Sequence, residues 1–178
     1  MIGDDLIARI LREGERRADE VEVFYARGTS VSAEIKKGIL GTAEESEAWS
    51  MAIRTVRDGR IGSSSTGDPD RWKECLEAAL ASGRLATPQQ WGGFPKPAEM
   101  AGTASSSDPD IVVAIEDAAG MVDALLAGAA EHPVEVVGGS ADLARSYIAV
   151  ANTNGVTYGM DRTVAAVSLE AIREQSTG

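Results

Sequence analysis

The spacing of the apolar residues changes near residue 20, and this change constrains the fold more than any other feature. In residues 4–18 the apolar residues recur at the spacing of one helix face: Leu6, Ile7, Ile10, Leu11 and Ala18. In residues 20–36 they alternate with polar residues, which is typical of strands with one buried face. We interpret this stretch as two strands, around residues 21–25 and 31–35, so the chain is predicted to be α+β.

Turn and cap residues divide the next part of the chain. Residues 49–57 continue the sheet, and Asp58-Gly59 predicts a tight hairpin, because both residues tolerate a positive φ. A returning strand is predicted from about Ile61. Asp68-Pro69 predicts the start of a second helix, whose apolar stripe is Trp72, Cys75, Leu76, Ala79 and Leu80.

The second half of the chain repeats this pattern. Asp108-Pro109 predicts a third helix, which runs to about Glu131 and ends at His132-Pro133. Four strands are predicted after it, at residues 134–137, 147–153, 156–160 and 163–172, with a turn at Asn154-Gly155. The order helix, strands, Gly turn and long strand occurs in both halves, and Val-Glu-Val stands at 21–23 and 134–136.

We infer from this order two diverged helix-plus-meander units. The predicted halves are residues 1–86 and 108–178, joined by a Gly-, Pro- and Ser-rich connector at 87–107. Their antiparallel sheets either join or pack together, and the three main helices pack on them.

Composition excludes several classes of function. The net charge of -11 disfavours direct binding of nucleic acid. No apolar stretch approaches the ~20 residues that a membrane span requires, and no leader sequence is visible at the N-terminus. A single cysteine allows no intrachain disulfide. These features predict a cytoplasmic protein that does not contact a membrane.

Few side chains are available for catalysis. A zinc site needs several converging His, Cys or carboxylate ligands, and the chain has one His and one Cys. We interpret His132 as a helix-end residue rather than a base, and Cys75 as a buried thiol rather than a nucleophile. No catalytic residue and no metal ligand is therefore assigned.

Other polar clusters have local explanations. Residues 62–67 (GSSSTG) precede a helix but lack the Lys of a phosphate-binding loop, so we interpret them as strand and turn rather than as an anion cradle. Glu44, Glu45 and Glu47 are placed in a turn, and Asp68 and Asp70 at a helix cap. In other proteins, paired carboxylates such as these bind divalent metal ions.

Aromatic residues are scarce, so each of them is considered as a core residue or as a binding residue. Trp49 and Trp72 fit the predicted core. Trp91 and Phe94 lie in the connector, in the string QQWGGFP, where they are predicted to anchor it to the domain or to bind a peptide or protein partner.

Five strings resemble, in the right order, the N-terminal region of the TldD/PmbA family, known as modulators of DNA gyrase. They are ADEVEVFY at 18–25, SVSAEIKKG at 30–38, RIGSSST at 60–66, QWGGFP at 90–95 and AVANTNGV at 149–156. The opening strand and the connector resemble PmbA/TldE more than TldD.

The resemblance implies an intracellular peptidase in which TldD- and PmbA/TldE-type chains pair, with zinc held on a His-Glu-x-x-x-His helix of the TldD-type subunit. Full-length members continue into a C-terminal domain. This chain has no His-Glu-x-x-x-His, so we expect either a PmbA/TldE-like chain, a fragment without the catalytic half, or both. No zinc is expected in this chain itself.

Three functions follow as expectations, and whether the chain is itself an enzyme stays open. The first is a peptide-binding and scaffolding domain that supports a metallopeptidase complex, as a homo- or heterodimer. The second is a pure interaction or dimerisation module, with Trp91 and Phe94 at its interface. The third is a stand-alone hydrolase that uses carboxylates and a divalent metal.

Overall fold

The computed structural model describes residues 2–98, 106–173 and 176–177. Within them lie three α-helices: α1 (Ile2–Gly14), α2 (Trp72–Leu85) and α3 (Ile115–Ala130). The strands are β1 (Glu20–Lys36), β2 (Ile39–Arg57), β3 (Arg60–Thr66), β4 (Glu135–Asn152), β5 (Thr157–Arg173) and β6 (Ser176–Thr177). They form one sheet in the order β3-β2-β1-β4-β5-β6. The α+β class is confirmed, and the predicted sheets are joined edge to edge.

The order of the strands repeats about the centre of the sheet. Each half of the chain gives a helix and then three strands, and the first strands, β1 and β4, are neighbours. They run antiparallel, because the Thr153 amide donates to Val21 O at 2.9 Å and the Lys37 amide to Val137 O at 3.3 Å. The sequence duplication and the halves 1–86 and 108–178 stay predictions.

The predicted strand lengths are wrong. Residues 20–36 form one strand rather than two, and the pairs 134–137 with 147–153, and 156–160 with 163–172, are likewise joined in β4 and β5. Strand β2 begins ten residues before the predicted Trp49. Gly28 illustrates the reason: a Cβ there would lie 3.1 Å from Arg145 O. That glycine permits close approach of two strands and does not mark a turn.

The predicted glycine-containing turns are confirmed. Asp58 and Gly59 have φ of 51° and 71°, and Arg57 pairs with Arg60 across them. Lys37 and Gly38 form a similar two-residue connection, with φ of 55° and 74°. Positive φ at both central residues matches the right-handed twist of the flanking strands.

One predicted helix start is confirmed and the other is wrong. Asp68 caps a short 3-10 turn, Pro69–Arg71, by accepting a hydrogen bond from the Asp70 amide at 2.9 Å, and α2 follows directly. Asp108 makes the same local bond, yet α3 begins only at Ile115. The Asp108 amide donates to Thr163 Oγ1 at 2.8 Å, which holds this segment beside β5.

The chain divides into two compact units that interleave along the sequence. The first unit contains Met1–Arg27, Ala48–Ala104 and Tyr147–Met160, and the second Gly28–Glu47, Ser105–Ser146 and Asp161–Gly178. In the first unit, α1 and α2 cover a core that includes Ile10, Val21, Val23, Tyr25, Ile53 and Leu76. In the second, α3 covers one that includes Val31, Ala33, Ile35, Val122 and Leu143. No helix among the described residues is long and apolar enough to cross a membrane.

Candidate functional site

The two aromatic residues predicted to bind a partner lie together in the first unit. The rings of Trp91 and Phe94 pack edge to face, with centroids 5.2 Å apart. Phe94 is 3% exposed, whereas Trp91 is half-buried. The predicted connector extends to residue 107, and its residues 99–105 lie outside the described part of the chain.

Polar side chains hold the connector in place through its backbone. Glu20 Oε2 accepts from the Phe94 amide at 2.6 Å, and Asn154 Nδ2 donates to Phe94 O at 2.8 Å. Asn152 is buried and donates to Pro95 O at 2.9 Å. Its Oδ1 also accepts from the amides of Asn154 and Val156. Residues 152–155, Asn-Thr-Asn-Gly, therefore have two roles: they form the β4–β5 turn, and they hold the connector in place.

A cation covers the remaining face of Phe94. The Arg54 guanidinium lies 5.1 Å from the centroid of that ring, within the range of a cation–π contact, and also pairs with Glu22. Phe94 is thus used inside the chain, as an anchor. Only the exposed part of Trp91 is accessible to another molecule, and its buried Nε1 has no hydrogen-bond partner. A partner-binding role for this pair stays a prediction.

Cys75 and His132, to which no catalytic role is assigned from the sequence, occupy structural positions. Cys75 is a free thiol, 4% exposed, on the buried side of α2 in the first unit. His132 is exposed beyond the end of α3 in the second unit, where its amide donates to Ala129 O at 3.0 Å.

Candidate metal ligands do not cluster in the described residues. No three His, Cys, Asp or Glu side chains among them lie close enough together to hold a metal ion. Glu44, Glu45 and Glu47 lie on strand β2 and are exposed, so their predicted place in a turn is wrong. Asp68 and Asp70 occupy the predicted helix cap. No chemical step is therefore assigned to a metal in this chain.

An open strand edge, which the sequence did not reveal, lies in the second unit. Strand β3 pairs only with residues 51–57 of β2, from Met51 opposite Thr66 to Arg57 opposite Arg60. Residues 39–47 of β2 therefore have no strand on that side among the described residues. We call residues 39–47 the open edge. The open edge was not predicted, because the apolar pattern placed the start of this strand at Trp49.

The direction of the backbone groups follows from the hairpin. Arg57 and Arg60 flank a two-residue turn, so they exchange backbone hydrogen bonds, and within residues 51–57 every second residue of β2 faces β3 in the same way. Val56 O points to the other side, where it accepts from the Asp19 amide at 2.8 Å. Ala43 packs on the core of the second unit, as the odd-numbered Met51 and Ile53 pack on the core of the first. The same alternation therefore holds from Ala43 onward, and the backbone groups of Ala43, Glu45 and Glu47 point outward.

This edge has the properties of a surface that adds a strand. Its outward amides and carbonyls match the backbone of any extended chain. Glu44, Glu45 and Glu47 are exposed beside them and favour a basic segment. Acidic side chains also discourage pairing between identical edges.

Comparisons with known proteins agree with this fold. Residues 21–83 match the family profile "PmbA/TldA metallopeptidase domain 1". A protein of Methanothermobacter thermautotrophicus named metalloprotease is 26% identical over an alignment of 178 positions, which covers 99% of this chain and 39% of that protein.

Solved structures show the same fold. TldE from Thermococcus kodakarensis has a TM-score of 0.79 at 21% identity, over 97% of this chain and 40% of that one. A Thermotoga maritima protein named as a candidate modulator of DNA gyrase has a TM-score of 0.82 at 16% identity, over 98% and 41%. The chain thus spans about two fifths of the length of these relatives. The matched segment, the ordered strings and the shared fold together make this chain similar to the N-terminal domain of PmbA/TldD/TldE-family proteins.

Proposed function

We propose that this chain is the peptide-binding and scaffolding domain of a PmbA/TldE-like subunit in a cytoplasmic metallopeptidase complex. In this proposal zinc and hydrolysis belong to a TldD-type subunit, and the chain dimerises with that subunit or with a second copy of itself. The lack of a suitable ligand cluster in the described residues supports this division of roles. The family profile and the metalloprotease relative support the peptidase context.

The open edge carries the proposal. A peptide that is to be cut must first be held extended, and an unpaired strand holds it by backbone hydrogen bonds, whatever its side chains are. Residues 39–47 offer such groups over nine residues, which is longer than an average strand. Because the neighbouring side chains are acidic, a peptide with Lys or Arg at alternate positions is the preferred ligand.

Proline substitution tests strand addition directly. Glu45→Pro removes an outward amide without touching the β1–β2 ladder, so we expect the fold to persist and the affinity for an extended Lys-containing peptide to fall about tenfold. Fluorescence anisotropy with a labelled peptide measures this. Glu45→Gln is the matched control for charge and keeps the amide.

Position 46 provides the opposite control. The Ser46 amide points toward β1, so Ser46→Pro is expected to lower the melting temperature, whereas Glu45→Pro is not. Unchanged peptide affinity in Glu45→Pro and also in Glu47→Pro would exclude the open edge as the binding surface.

A pure interaction module is the second proposal, and the exposed part of Trp91 favours it. Trp91 adjoins Phe94 in a segment clamped by Glu20 and Asn154, so its ring is presented rigidly. Light scattering on the wild-type chain and on Trp91→Ala separates the two functions. A dimer that dissociates on this substitution, with no peptide binding, favours the interaction module.

A further inference from the structure

Five arginines line one cleft in the first unit, although the chain as a whole is strongly acidic. The cleft has a volume of about 450 Å³. Its cationic lining consists of Arg16, Arg17, Arg57, Arg60 and Arg84. Among the described residues that line the cleft, Asp58 is the only acidic one. In a chain of net charge -11, this arrangement reverses the local sign of the potential.

The fold assembles these arginines from three separate places. Arg16 and Arg17 follow the end of α1, Arg57 and Arg60 flank the β2–β3 turn, and Arg84 lies in the last turn of α2. Their spacing along the chain forms no recognisable motif.

Part of this positive charge is compensated by carboxylates outside the lining. Glu13 lies 3.2 Å from Arg16 Nη1, and Glu77 binds both terminal nitrogens of Arg17. The other three arginines keep more of their charge. Arg57 Nε lies 3.9 Å from Asp58 Oδ2.

Arg60 and Arg84 have no carboxylate partner within ion-pair distance in the described part of the chain. The cleft therefore keeps an excess of positive charge.

A structural role explains some of these arginines. Cations near helix C-termini are favoured by the helix dipole, and Arg57 and Arg60 donate to the carbonyls of Arg17 and Ala86. One such bond, however, leaves most of the five N–H donors of a guanidinium available. Arg84 has no hydrogen bond to a carbonyl in the residues that the structure describes.

We propose that this cleft binds a small multivalent oxyanion, a ligand with at least two phosphoryl or carboxylate groups. Guanidinium groups match both kinds of oxyanion by paired hydrogen bonds. The volume fits a small molecule, and the acidity of the surrounding chain opposes a long nucleic acid. The inference goes beyond the proposed function and does not rest on it.

Isothermal titration calorimetry with inorganic pyrophosphate, and separately with citrate, tests the proposal at low ionic strength, where screening is weak. We expect at least one of them to bind with a Kd below about 1 mM. The double variant Arg57→Gln/Arg84→Gln should weaken this binding about tenfold or more, a loss of about 1.4 kcal/mol. The double variant Arg162→Gln/Arg173→Gln makes the same change of charge in the second unit and should bind as the wild type does.

A variant that should raise the affinity for the anion, rather than lower it, provides a second test. Asp58→Asn removes the acidic lining residue, and Asn tolerates the positive φ of 51° at this position. It should therefore bind the anion more tightly.

Stronger binding of pyrophosphate identifies phosphoryl ligands, and stronger binding of citrate identifies carboxylates. Failure of both to bind below about 1 mM, or equal weakening in the two double variants, would overturn the proposal. Circular dichroism verifies that each variant is folded.

Discussion

The Phe94 amide donates a hydrogen bond to Glu20 Oε2 at 2.6 Å, across a sequence separation of 74 residues. The same carboxylate oxygen lies 3.3 Å from Asn154 Nδ2, which in turn donates to Phe94 O. One side chain at the start of β1 therefore fixes both the connector and the β4–β5 turn. The position of Trp91 depends on this small network.

Removing the carboxylate should release the connector. In Glu20→Ala we expect the amides of residues 91–96 to exchange with deuterium at least tenfold faster, because the Phe94 amide loses its acceptor. Hydrogen-exchange mass spectrometry measures this. Glu15→Ala, an exposed position, is the control. If the segment stays as protected as before, the clamp does not depend on Glu20.

The contact between β3 and α2 depends on a residue without a side chain. A Cβ on Gly62 would lie 2.0 Å from Ala79 O and 2.5 Å from the Gly83 amide nitrogen, both of them backbone atoms. Gly62→Ala should therefore lower the free energy of unfolding by about 2 kcal/mol or more.

Urea denaturation measures the cost of Gly62→Ala, and Gly128→Ala is its control. An added Cβ at Gly128 meets no atom within 4 Å, and the position is inside α3. That control should gain about 0.5–1 kcal/mol. Equal effects of the two substitutions would contradict the close packing at Gly62.

The Arg17–Glu77 pair should make stability depend on pH. The hydrogen bond from Arg17 lowers the pKa of Glu77 below its usual value of 4.5, and burial opposes this shift only in part. Because the pKa of Glu77 is lower in the folded state, the stabilisation is present above pH 4.5 and is lost as the pH falls through the folded pKa.

Comparing the wild type with Glu77→Gln isolates this effect. The wild type should melt at the higher temperature near pH 7, and the difference should shrink as the pH falls below 4.5. Thermal unfolding followed by circular dichroism from neutral to acidic pH gives the curve, with Glu15→Gln as the control. A difference that does not change with pH would rule out the ion pair as its source.

The burial of Cys75 predicts that its thiol is inert in the folded chain. A disulfide reagent must reach the sulfur of Cys75, a residue that is 4% exposed and lies in the core of the first unit. We expect the native chain to react at least roughly 100-fold more slowly than the urea-unfolded chain, since opening of a core helix must come first. Absorbance of the released thiolate measures both rates, and equal rates would show that Cys75 is exposed.

The sequence determined the local structure wherever the cause was itself local. Asp58-Gly59 predicted its hairpin because few residues accept a positive φ, and Asp68-Pro69 predicted its cap because both groups act within three residues. The apolar stripes of α1 and α2 correctly predicted that Ile10 and Leu76 are buried. The resemblance to the PmbA/TldD/TldE family followed in the same way from five ordered strings.

The errors arose where distant parts of the chain decide the outcome. The apolar pattern predicts two strands within residues 20–36, but the backbone of Arg145 lies against Gly28 and a single strand continues through it. Asp108 has the local bond of a helix cap, yet its amide is bound by Thr163 on β5 and the helix begins only at Ile115.

Tertiary structure alone decided the surfaces on which function depends. The open edge exists because β3 stops opposite Met51, and the arginine cleft exists because three segments up to 68 residues apart converge, from Arg16 to Arg84. Spacing along the chain records which side chains share one element. It does not record which strand edge stays unpaired or which charges meet, because those depend on contacts between residues far apart in sequence.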